Sequence, residues 1–166
     1  MTRFAAAALL LATLSLAALS LAACAPKPVA DPVYRDTSRQ VYSIAAFDSA
    51  RMEGHWTQVA GFGASCASGS MDIAAVTTYS LCLPKGPKSG QGAMVASVPG
   101  RFDLPGIGPF WVLWADADDR TLVIGAPAGH YGMILNRDGA LPADRLKAAR
   151  DILEFNGYDM AKLNVY

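Results

Sequence analysis

Gly54-His55-Trp56-Thr57-Gln58-Val59-Ala60-Gly61-Phe62 is the stretch from which the rest of the chain is read. Alternation over it puts Trp56, Gln58, Ala60 and Phe62 on one face and Thr57, Val59 and Gly61 on the other. Both faces are largely apolar or small, so the stretch predicts a strand covered outside as well as inside. Just upstream, Phe47-Asp48-Ser49-Ala50-Arg51-Met52 carries a helix-start signal. Asp48 can accept hydrogen bonds from the next free N–H groups and Phe47 can lie against a core. A single helical turn leading into Gly54 follows from it.

Downstream, short apolar runs alternate with turn residues. Residues 66–74 and 76–83 read as strands, the second rich in β-branched and aromatic side chains (Val76, Thr77, Thr78, Tyr79). Pro84-Lys85-Gly86-Pro87-Lys88-Ser89-Gly90 reads as a loop. Residues 92–98, 101–104, 110–115, 121–125 and 131–136 read as five more strands, parted by Pro99-Gly100, Pro105–Pro109, Asp116–Arg120 and Pro127-Ala128-Gly129. Eight short strands at near-regular spacing predict a small antiparallel barrel or sandwich. One helix follows. Pro142 suits its first turn, Asp144 the positive end of its dipole and Gly157 its C-terminal cap. Leu146, Ala149, Ile152, Leu153 and Phe155 form its apolar stripe, which is expected to pack on the barrel wall. Lys147–Asp151 and Arg150–Glu154 are i,i+4 pairs. Leu163-Asn164-Val165 is a candidate final edge strand.

The chain has 166 residues, room for one domain, with 14 basic and 14 acidic side chains. No basic run tracks a phosphate backbone, and this balance argues against a nucleic-acid partner. Met1-Thr2-Arg3, an uncharged run from Phe4 to Ala23 and then Cys24 have the layout of a secretory signal. The alternative is a transmembrane helix, since the run approaches spanning length. Small residues crowd its end, however, and no Lys/Arg cluster follows to stop transfer. Leu21-Ala22-Ala23-Cys24 resembles the lipobox of bacterial lipoproteins. That resemblance implies cleavage before Cys24 and lipidation of Cys24, hence a membrane contact through acyl chains. Ala25, rather than Asp, after the cysteine implies the outer membrane, with the domain facing the periplasm.

The organisation expected is a signal peptide at 1–23, a tether at 24–46 whose Pro26, Pro28 and Pro32 favour extended chain, and a barrel domain at 47–166. With Cys24 spent on lipid, Cys66 and Cys82 remain as a pair in an oxidising compartment. A structural disulfide is expected, worth roughly 3 kcal/mol by chain entropy. The alternative, a metal or redox pair, has neither CxxC spacing nor a nearby His to support it.

FDSARMEGHW into the first strand, WADADDRTLVIGAP across one hairpin, YGMILNR in the last barrel strand and FNGYDMAKL after the helix stand in order over most of 47–163. With the eight-strand run they resemble the lipocalins, most of all the bacterial outer-membrane lipocalin lipoproteins. The resemblance implies an all-β, eight-stranded, antiparallel up-and-down barrel with one C-terminal helix on its wall. It also implies that Trp56 of Gly-x-Trp lies under Arg137 at the narrow end, a cation–π contact of about 0.5–2 kcal/mol that closes the barrel. Gly54, Trp56 and Arg137 are structural in that reading. Two departures stand out: Asp116-Ala117-Asp118-Asp119-Arg120 lacks the tyrosine of the family's acidic-x-tyrosine element, and the chain from Trp56 to Arg137 is short. A small or open cavity follows.

An eight-stranded barrel can hold one small ligand or be filled by its own side chains. Gln58, Phe62, Tyr79, Trp111, Trp114, Tyr131 and Met133 are the candidate lining residues. Alternation places Trp111 and Trp114 on opposite faces, so at least one points outward. The leading expectation is binding or storage of a hydrophobic or amphipathic molecule, with the resemblance implying fatty acids or lysophospholipids. The alternative is a periplasmic inhibitor or protein-interaction module acting through the barrel loops. The pattern does not point to an enzyme and implies no cofactor or metal. His55 alternates away from the interior, His130 sits in a turn, and Asp116, Asp118 and Asp119 lack the EF-hand spacing.

Overall fold

A computed structural model describes residues 30–63 and 66–166. The chain divides at Asp31, and the sheet and helix belong to the unit Pro32–Tyr166. Cys24 and the expected signal peptide lie outside the described residues. Among the described residues no helix is long and apolar enough to cross a membrane.

The strands are β1 (Gly54–Phe62), β2 (Gly69–Ile73), β3 (Thr77–Leu83), β4 (Gly86–Gly92), β5 (Val95–Val98), β6 (Arg101–Leu104), β7 (Gly108–Ala115), β8 (Thr121–Gly125), β9 (Gly132–Asn136) and β10 (Leu163–Val165). They form one antiparallel sheet in the order β4-β3-β2-β1-β9-β8-β7-β6-β5, with β10 added beside β1. The sheet curls until side chains of β1–β3 and β6–β9 meet in a single buried cluster on its concave face.

The ladder order contains nine strands, but they make eight barrel staves. Nine alternating strands leave β4 and β5 running the same way. Parallel neighbours need a crossover of a dozen or so residues, whereas only Ala93 and Met94 part this pair. The contacts give the resolution. A Cβ added to Gly92 would lie 2.7 Å from Pro105 Cγ, and Val95 pairs with Asp103. Alignment against β6 therefore runs on through the break. β4 and β5 are the two halves of one bent strand, the first paired with β3 and the second with β6. The expected up-and-down barrel is present, left partly open along this seam.

β4 itself corrects the loop expected at 84–90. Every residue from Gly86 to Gly92 has a partner on β3, so the ladder overrides a Gly/Pro/Lys/Ser composition of poor strand propensity. Pro87 is tolerated because an edge strand does not need every N–H.

Among the described residues the ladders carry three register shifts, one in β5 between Ala96 and Val98 and two that redirect core side chains. In β1 the register against β9 shifts between Gln58 and Ala60, and in β7 the register against β8 shifts between Val112 and Trp114. Each adds one residue, and beyond it the faces exchange. Ala60 and Phe62 consequently join Val59 in the convex cluster, and Trp114 joins Trp111 and Leu113 there.

That convex cluster is covered by helix α1 (Ala143–Phe155), whose Ala149 and Leu153 are buried. Gly157 adopts φ +87°, and its N–H donates to Glu154 O while Tyr158 N–H donates to Leu153 O. Those two bonds end the helix in the arrangement a left-handed glycine permits. Lys147 and Asp151 are bonded at 2.6 Å. Phe155 departs from the expected stripe: it is 60% exposed, its ring 5.8 Å from that of Tyr42. β10 occupies the predicted edge position.

The tether expected over 24–46 is packed from Tyr34 onward. Tyr34 N–H donates to Gly129 O, Asp36 N–H to Gly157 O and Ile44 N–H to Val112 O. Arg35 is buried, and its guanidinium donates to the carbonyls of Pro127, Arg39 and Asn156. A charge taken out of water needs such partners, and these bind the segment to the end of α1.

Candidate functional site

The two ends of the barrel are closed by different chemistry. At the end where β1 begins, the Arg137 guanidinium carbon sits 3.9 Å from the centroid of the Trp56 ring. Arg137 also donates to Glu53 O at 2.6 Å and Arg51 O at 2.9 Å. The Trp56 indole N–H donates to Met52 O at 2.7 Å, in the 3-10 turn Ser49–Met52 that Asp48 caps. Gly54 has φ +103°, and a Cβ there would lie 2.8 Å from an Arg137 nitrogen. Gly54, Trp56 and Arg137 thus pack together at this end of the barrel, its floor.

At the opposite end the turn joining β6 and β7 folds over the mouth. Tyr79 Oη donates to Pro105 O at 2.8 Å, and Tyr131 Oη donates to Pro109 O. Ile107, between the two prolines, packs on the concave cluster. The Tyr79 ring also covers Gly90, where a Cβ would lie 2.4 Å from its oxygen. Burial pushes the Tyr131 phenol well above the ordinary tyrosine value, so it remains a donor at neutral pH.

Between floor and mouth the concave face is filled. Trp56, Met52, Met71, Leu104, Phe110, Val112, Ile124, Met133 and Leu135 are 0% exposed, so no water-sized space touches them. Of the predicted lining residues, Gln58, Tyr79, Tyr131 and Met133 lie on this face. Phe62, Trp111 and Trp114 are corrected to the convex side: the bulges turn Phe62 and Trp114, whereas Trp111 precedes its bulge and faces outward by plain alternation with Phe110 and Val112. Phe62 there lies between the Tyr34 and Tyr158 rings, with centroids at 5.5 and 5.2 Å. Trp111 lies under Arg101 at 3.9 Å. Gln58 is committed to structure, because its amide accepts from Cys82 N–H and donates to Cys82 O, both at 2.8 Å. It brings β1 to β3 beside the Cys66–Cys82 disulfide, whose Cα atoms are 5.8 Å apart.

Cross-strand partners share a face, so the register assigns every strand residue to the concave or convex side. On β4 the concave residues are Gly86, Lys88, Gly90 and Gly92, opposite Leu83, Leu81, Tyr79 and Thr77. Among the described residues Lys88 is the one charged side chain that the strands put on the concave face. Sequence reasoning missed it by reading 84–90 as a loop, although glycine at 86, 90 and 92 marks a period of two. A Cβ on Gly86 or on Gly108 would meet nothing within 4 Å, so the rim is open there. Deeper on the same face, Thr77 Oγ1 is buried without a hydrogen-bond partner.

The two histidines stand apart from this face. His55 Nδ1 lies 2.8 Å from the exposed Asp72 carboxylate, and His130 Nδ1 lies 3.3 Å from Pro32 O. Asp116 Oδ1 accepts from the N–H groups of Arg120 and Thr121, which is turn formation. Among the described residues no group of three or more His, Cys, Asp or Glu could hold a metal ion.

A curled antiparallel sheet with a Trp–Arg floor and one helix on its convex face is the fold of the lipocalins. Residues 93–166, from just before β5 to the C-terminus, match the family model of a lipocalin-like domain. No curated protein matches the sequence. Among solved structures the chain is similar to lipocalin 12 from rat epididymis, with a TM-score of 0.55 and 13% identity over 82% of this chain and 93% of that one. It is also similar to the siderocalin Ex-FABP, which functions through dual ligand specificities, with a TM-score of 0.53 and 14% identity over 69% of this chain and 93% of that one.

Proposed function

We propose that this chain is an envelope lipoprotein that binds or stores one small hydrophobic or amphipathic molecule, of the fatty acid or lysophospholipid class, on the concave face of its barrel. The anchor is the acyl chains on Cys24, and the domain faces the periplasm from the outer membrane. The lipobox-like Leu21-Ala22-Ala23-Cys24 supports the anchor, and the disulfide suits an oxidising compartment.

One observation carries the binding reading: the buried cluster on the concave face is built of aliphatic and aromatic side chains and is rich in methionine, with Met52, Met71 and Met133 inside and Met94 at the seam. Unbranched thioether side chains change rotamer at little cost and adapt to irregular guests. An alkyl chain enters by displacing them from the mouth inward. The test is extraction of the purified protein for mass spectrometry, followed by delipidation and titration with a fluorescent fatty acid. A lipid in the extract and saturable probe binding are expected. A folded protein that yields no lipid and binds no probe ends the carrier reading.

The dense packing of the interior favours a second reading, in which the barrel is a scaffold and its loops bind a protein. That reading is supported if cross-linking in the envelope captures one defined protein and the delipidated barrel binds no probe.

A further inference from the structure

We propose that Lys88 is the residue that selects the head of the ligand, pairing with the single negative charge of a one-chain amphipath whose tail lies on the concave face. The inference rests on the ligand-binding reading above and adds a charge requirement to it.

Three observations converge. Lys88 lies opposite Leu81, a fully buried member of the concave cluster, so its Cα–Cβ bond aims into the barrel mouth. Its Cε lies 4.0 Å from the position a Cβ would take on Gly106, which puts the ammonium beside the turn that Tyr79 and Tyr131 hold over the mouth. Its neighbours on the same face of β4 are Gly86 and Gly90. No side chain of β4 therefore stands between the ammonium and the rim, where Gly86 is open. Among the described residues Lys88 takes part in no ion pair.

The chemistry that fits is narrow. A carboxylate or phosphate carried into the apolar interior would lose its water with no cation to compensate. Held at the rim it keeps most of its hydration and gains one ammonium, a compact charge on a flexible stem. The tail then follows the apolar path past Tyr79 and Ile107. Long-chain carboxylates and single-chain phosphate diesters both meet this description. A neutral alcohol of equal chain length meets only its apolar half.

The experiment titrates the full-length, delipidated protein calorimetrically with decanoate and with decan-1-ol. The wild type is expected to bind decanoate the more tightly. Lys88→Met is expected to weaken decanoate about tenfold, equivalent to about 1.4 kcal/mol, and to change decan-1-ol by less than about twofold. Lys88→Arg is expected to hold decanoate near its wild-type value. Unchanged decanoate binding in Lys88→Met, or an equal loss for both compounds, overturns the assignment while leaving the carrier reading intact. A folded wild type that binds neither compound overturns the carrier reading, and the role of Lys88 with it.

Discussion

The floor and the mouth of the same barrel are built from opposite materials. The floor is a large aromatic ring, a guanidinium and main-chain carbonyls gathered from both ends of the barrel sequence: Trp56 with Met52 and Glu53 on one side, Arg137 on the other. The mouth is a turn rich in glycine and proline, held by two phenol hydroxyls, Tyr79 and Tyr131. Contacts at the floor are cooperative, since removing Trp56 strips both Arg137 and the 3-10 turn of their partner. Contacts at the mouth are separable, each hydroxyl bonding one carbonyl. The contrast assigns stability to one end and, under the proposed function, access to the other.

The largest effect should come from the floor. Trp56→Ala is expected to lower unfolding free energy by about 3–5 kcal/mol, read from denaturant titration. A variant that keeps wild-type stability and loses only probe binding would move Trp56 from the floor to the ligand site. Next is the staple at the mouth end: replacing both Cys66 and Cys82 with Ala is expected to cost roughly 3 kcal/mol, and reduction of the wild type should reproduce it. If neither treatment shifts the midpoint, the disulfide adds nothing to the order that Gln58, Tyr79 and Tyr131 give the mouth end.

An alkaline titration tests the convex side between the two ends. Burial pushes the Tyr158 phenol up to about 12, while its unfolded counterpart ionises near 10. Between those values the folded state holds the extra proton. Stability is therefore full below about pH 10 and falls as pH rises toward 12. Tyr158→Phe is expected to flatten that fall at the expense of the bonds from Tyr158 Oη to Tyr131 O and from Ala126 N–H to Tyr158 Oη. An unchanged alkaline slope in the variant would remove Tyr158 from the account. The smallest stability effects are expected from Tyr79→Phe and Tyr131→Phe, about 1 kcal/mol each, accompanied by faster entry of a fluorescent fatty acid in stopped flow. Loss of stability without faster entry would show that the tyrosines brace the turn and do not gate it.

Much of this was legible from residues alone. Gly54, Trp56 and Arg137 form a floor because their identities prescribe their geometry: a left-handed glycine, an indole and a guanidinium. Cys66 with Cys82 and the glycine ending α1 were legible for the same reason. The lining residues were less so. Trp111 obeys alternation with Phe110 and Val112, but Phe62 and Trp114 do not, because a bulge breaks alternation without leaving a mark in its own strand. Its position is set by register against a neighbour that is distant in sequence, here β9 for β1 and β8 for β7. β4 was hidden by composition, because its strand conformation comes from pairing with β3 and not from intrinsic propensity. Lys88 vanished with it. A period of two in glycines was the surviving signal.

The broken stave β4–β5 has a consequence in time rather than in shape. All four residues of β5 are exposed, and the ladder has no continuous partner across Ala93 and Met94. Amide protons of 93–98 should therefore exchange with solvent through small local openings, far sooner than those of β8 and β9, which release only when the whole domain unfolds. A barrel that can part along one line without dissolving its other ladders opens locally long before it unfolds, and deuterium uptake would reveal that line first.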